Sequence, residues 1–100
     1  MNIEKPKKLL INRDGLKVIR LTLPKGKSIP EHSTNTDLVV VVVKGEGIFF
    51  INNNPKPIAQ GDVFDLKPNV LHAVSAKSDL ELIVTHVHLK SDHSDIACGS

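Results

Sequence analysis

Leu38-Val39-Val40-Val41-Val42-Val43-Lys44-Gly45-Glu46-Gly47-Ile48-Phe49-Phe50-Ile51-Asn52-Asn53-Asn54-Pro55 is the stretch that decides the fold. A run of β-branched residues without polar alternation reads as a strand buried on both faces, or one at a contact between sheets. Gly45-Glu46-Gly47 breaks the run, and Ile48 to Ile51 resumes it. Asn52 to Pro55 is a turn rich in residues that tolerate positive φ.

The same grammar continues in both directions. Towards the N-terminus, Leu9 to Asn12 is a short run closed by Asp14-Gly15, a hairpin signal. Leu16 to Leu23 alternates, with Ile19, Leu21 and Leu23 on one face, and Pro24-Lys25-Gly26 turns the chain into a polar strand over Ser28 to Thr34. Towards the C-terminus come Pro57 to Gln60, a Gly61-Asp62 turn, Val63 to Leu66, a Lys67-Pro68-Asn69 turn, Val70 to Ala76, and a last strand over Leu80 to Leu89. No segment repeats apolar residues at helical spacing with caps at both ends. Parallel pairing would need long crossovers, and none exists. The expected architecture is all-β: an antiparallel double-sheet jelly roll or small barrel. We divide the chain into an N-terminal strand or arm (1–15), a barrel (16–89) and a polar tail (90–100) that holds Cys98, read as a free thiol.

Composition narrows the function. One hundred residues make one domain. Val, Leu and Ile supply 31 residues, and the only aromatics are three Phe. Stacking platforms for single-stranded nucleic acid need more rings than that. A net charge of +2 argues against DNA or an anionic membrane as partner. Lys5, Lys7 and Lys8, with Lys25 and Lys27, read as a solvated face. A single Cys excludes a disulfide framework and a multi-Cys metal site. The longest apolar run is six residues, against the roughly 20 a membrane helix needs. Met1 to Pro6 shows no apolar signal core, so the expected compartment is the cytoplasm.

The histidines carry the functional information. Gly26, five residues, His32, one residue, Thr34, three residues, Leu38, six residues, Gly45 is one spaced motif. Gly61, five residues, Lys67-Pro68-Asn69, two residues, His72 is a second. Together these resemble the two motifs of the cupin superfamily over nearly the whole domain. Gly26, Gly45 and Gly61 fall where the chain reverses, and Asn69 stands where the family has Gly; Asn is the next residue to accept a left-handed conformation. Metal-binding members carry three His and one Glu. Here His32 and His72 match ligand positions, Thr34 replaces the second His, and Leu38 replaces the Glu.

The resemblance implies that His32 and His72 come side by side in a barrel cavity. Period-two alternation adds Thr34, Thr36 and Leu38 to the same face. Phe49 and Phe64 join the candidate ligand-binding residues as rings that could stack on a substrate, with core or interface packing as the other reading. Two imidazoles alone seldom hold a metal tightly. A third ligand would have to come from elsewhere. His86 and His88 share a face of the last strand: turned inward, one completes a site; turned outward, they form a surface pair or a dimer contact. Asp37, next to the lost Glu position, has the opposite parity.

Two readings of the pocket follow, one with a weakly held divalent ion (Zn, Fe, Mn or Ni) on His32 and His72, one without. Three functions follow in turn. The first is binding of a small polar ligand. The second is metal-dependent enzyme chemistry of isomerase, dioxygenase or decarboxylase type. The third is a ligand-free role through dimerisation. The valine run and the opposed Phe49 and Phe50 leave an apolar surface that a homodimer would cover.

Overall fold

The computed structural model describes residues 7–88. Nine strands form: β1 (Lys7–Arg13), β2 (Leu16–Leu23), β3 (Ser28–His32), β4 (Asp37–Lys44), β5 (Glu46–Ile51), β6 (Asn54–Ala59), β7 (Val63–Leu66), β8 (His72–Ala76) and β9 (Leu80–Val87). Among the described residues there is no helix, and so none long and apolar enough to cross a membrane. The strands make a five-stranded sheet, β1-β2-β9-β4-β7, facing a four-stranded sheet, β3-β8-β5-β6. Every pairing is antiparallel, which is the double-sheet jelly roll. The tail, with His93 and Cys98, lies outside the described residues.

Turn chemistry sets the strand ends. Asn52 and Asn53 both adopt positive φ (50° and 69°), closing the β5–β6 hairpin at the Ile51–Asn54 pair. A two-residue loop with both central residues left-handed matches the twist of its flanking strands. Asn69 (φ 68°) takes the same conformation before β8. Gly45 (φ 90°) is required twice over. Its backbone is left-handed, and a Cβ there would collide with the carbonyl oxygen of Asp79.

The core lies between the sheets. Leu38, Val40 and Val42 of β4 meet Leu80 and Leu82 of β9, Leu21 and Leu23 of β2, and Phe49 and Val74 from the facing sheet. The valine run therefore alternates. Val40 and Val42 are each 1% exposed, whereas Val39 and Val43 are 37% and 41% exposed. Of the two expectations for this run, the contact between sheets holds and burial on both faces is corrected: among the described residues nothing covers the outer side of this sheet. Of the N-terminal strand or arm, residues 7–13 form a strand, and β1 pairs along β2 as the margin of the larger sheet.

The four margins differ. β3 contains Pro30, β6 contains Pro55 and Pro57, and β7 has only four residues. Proline has no N–H to offer a further strand, so it suits an edge. β1 has seven exposed residues and no proline.

Candidate functional site

His32 and His72 are directly opposite in the β3–β8 ladder. That pairing brings their rings to a centroid separation of 4.3 Å, edge to face. Each ring is held by its own strand. Nδ1 of His32 donates to the carbonyl of Pro30, and Nδ1 of His72 to the carbonyl of Val70, both at 2.9 Å. A carbonyl only accepts, so the proton sits on Nδ1 and leaves Nε2 as a lone-pair acceptor. Phe49 stacks against His72 at 5.9 Å and meets Phe64 edge-on at 4.8 Å.

The two imidazoles line a cavity of about 150 Å³ between the sheets, whose remaining wall is mainly aliphatic. Of the expected lining residues, Thr34, Leu38 and Phe49 are present, while Thr36 and Phe64 are not. The physical reason for Thr36 is that β3 ends at His32, and residues 33–36 bend rather than alternate. The backbone N–H of Asn69 holds that bend by donating to the carbonyl of Thr34 at 2.7 Å. Phe64 backs Phe49 instead of reaching the cavity.

His86 settles the question its parity raised. It is in register with Leu38 on one side and Lys17 on the other. It shares the inward face of β9 with Leu80 and Leu82, and it lines the cavity. His88 is exposed and does not. A chain of hydroxyls fixes the ring of His86. The Thr34 hydroxyl donates to the Thr36 carbonyl (3.4 Å) and the Thr36 hydroxyl donates to Thr34 Oγ1 (3.4 Å). Thr36 Oγ1 then accepts from Nδ1 of His86 at 3.2 Å. Lys7, in β1, also lines the cavity.

Burial, with the adjacent His32 as a lesser cause, pulls the His72 pKa below the usual imidazole value. The His86 pKa is lowered by burial first, then by Lys17, Lys7, His72 and His32. Both rings are therefore neutral at pH 7. These two imidazoles therefore face the cavity as hydrogen-bonding groups, and Lys7 is the cation of its wall.

The donor set does not fit a tightly held metal. The imidazole tautomers would suit an ion, but among the described residues no three His, Cys, Asp or Glu side chains are placed to hold one. Leu38 offers no donor at all, and a threonine hydroxyl is a poor ligand for a divalent transition metal.

Comparison with known proteins agrees with this fold. A family model described as a cupin domain matches residues 19–88, and the protein belongs to that family. An RmlC-like cupin from Desulfovibrio desulfuricans is similar at 28% identity and a TM-score of 0.75, over 81% of this chain and 79% of that one. An RmlC-like cupin family protein with a double-stranded β-helix fold from Methanocaldococcus jannaschii is similar at 22% identity and a TM-score of 0.74, over 85% and 83% of the two chains. A mutant of salicylate 1,2-dioxygenase from Pseudoaminobacter salicylatoxidans has 19% identity and a TM-score of 0.71. That match covers 73% of this chain but 21% of the enzyme. No curated protein matches the chain by sequence.

Proposed function

We propose that this cupin binds a compact, mainly apolar molecule that presents an O–H or N–H donor to the imidazole end of its cavity. The observation carrying this reading is the pair of Nδ1–carbonyl bonds, which orient His32 and His72 and keep Nε2 as acceptor. The cavity volume of about 150 Å³ suits a ring the size of benzene. A ligand of about seven non-hydrogen atoms contributing ~0.6–0.8 kcal/mol each would bind with a Kd of about 0.1–1 mM.

Phenol is the probe. Titrated into isotope-labelled protein, it is expected to shift the amides of Ala73, Val74 and Leu38 saturably in that range. Toluene, without the donor, is expected to bind several-fold more weakly. Absence of any saturable shift from phenol at about ten times that concentration range would remove the reading.

The likeness to a dioxygenase supports a metal-dependent enzyme at the level of fold alone, and the side chains present do not favour that alternative. We also propose a cytoplasmic homodimer packed on the outer face of the five-stranded sheet. Val39, Val43 and Val63, at 37%, 41% and 63% exposure, support it, because they sit on that one face with Val41 between them.

A further inference from the structure

A second concavity of about 320 Å³ adjoins the cavity and shares Thr34 and His86 with it. Its wall is cationic and polar: Arg13 and Lys17, with His88, Asn12, Asn35 and Thr36. Lys17 pairs with Asn12 on one side and His86 on the other, so these three form a row across β1, β2 and β9.

Among the described residues no carboxylate lines this cleft. Asp14 lies in the β1–β2 turn, and Asp37 pairs with Val87 on the opposite side of the sheet. Among the described residues the one ion pair is Arg20 with Glu81, and none of their carboxylates pairs with Arg13 or Lys17. Among the described residues the charged and titratable groups that act on His86 are Lys17, Lys7, His72 and His32. Two cations beside hydroxyl and amide donors, opening onto an apolar hollow, form a surface with one kind of complement.

We infer that this cleft is an oxyanion subsite continuous with the cavity, and that the ligand is a small amphipathic acid. Its apolar body fills the space between the sheets, and its carboxylate or phosphate meets Arg13 and Lys17. The inference deepens the cavity reading by naming the ligand's charged end. Carboxylate and phosphate share the chemistry the cleft recognises: compact negative oxygen acceptors that take charge-assisted hydrogen bonds.

Four probes and one double variant test it. Phenol reports the cavity alone. Hydrocinnamyl alcohol, hydrocinnamate and phenethyl phosphate share an apolar body and differ at the end that would reach the cleft. At low salt, one or both acids are expected to bind roughly tenfold more tightly than the alcohol, the scale of a charge-assisted contact discounted for exposure. The acid with the larger gain identifies the natural head group. Arg13→Gln/Lys17→Gln alters exposed side chains. It is expected to abolish the advantage of the acids while leaving the Kd for phenol unchanged.

Acids that bind no better than the alcohol, or an advantage that survives in the double variant, would overturn the oxyanion subsite while phenol binding upholds the cavity. If phenol fails but an acid binds in an Arg13- and Lys17-dependent way, the cleft stands and the cavity reading falls.

Discussion

Phe49→Ala tests the wall that joins the core to the site. Phe49 is 4% exposed, lies edge-on to Phe64 at 4.8 Å and stacks on His72 at 5.9 Å. Truncating a buried Phe to Ala costs about 3–5 kcal/mol, and an aromatic pair adds roughly 0.5–1.5 kcal/mol beyond area. Relaxation cannot recover much, because one side of the ring already borders a void of about 150 Å³. The expected loss is therefore at the upper end, about 4–5 kcal/mol, a large fraction of the roughly 5–15 kcal/mol that holds a domain of this class. For a chain of this length the melting temperature should fall by about 20 °C or more. Urea unfolding of wild type, Phe49→Leu and Phe49→Ala measures the series, with Leu expected between the other two. A cost below about 1.5 kcal/mol for Phe49→Ala, with an unchanged urea slope, would refute the reasoning. It would mean that the ring is not held between Phe64 and His72 as described.

Other expectations follow from the same structure. His72 and His86 have lowered pKa values in the folded state, so the unfolded chain takes up their protons first as pH drops. Stability should be full above about pH 6.5 and decline as pH falls through that unfolded value. A melting temperature flat from about pH 8 to about pH 5 would contradict this. Elemental analysis of the purified protein is expected to find far less than one equivalent of Fe, Mn, Ni or Zn. A stoichiometric metal that disappears in His72→Ala would reverse the conclusion about the donor set. Sedimentation at micromolar concentrations is expected to show a dimer that Val41→Glu converts to monomer; a monomeric wild type would rule out the proposed face.

Turns were the most legible part of the sequence. Gly26, Gly45, Gly61 and Asn69 all take positive φ, because the steric penalty that selects them is local to one residue. The meeting of His32 with His72 was also readable, through motif spacing. What escaped the sequence was decided at long range. β3 stops at His32 because the chain from Thr34 is held by Asn69, a contact that strand alternation cannot anticipate, and Thr36 was misplaced for that reason. His86 shares parity with Leu80 and Leu82, and the i, i+2, i+4 pattern from Leu82 would have turned it inward. Parity says which residues travel together, but only the facing sheet says which side is covered. The valine run shows the same limit, since composition could not reveal that, among the described residues, no second layer lies above Val39 and Val43.

The unequal sheet margins bear on solubility. Pro30, Pro55 and Pro57 and the brevity of β7 leave β1 as the seam along which another backbone could zip. Self-annealing of that seam, antiparallel about Leu10, would set Lys7 against Arg13. Like charges facing each other across a ladder oppose pairing, so this strand carries its own deterrent to fibrous growth. Neutralising either end would remove it.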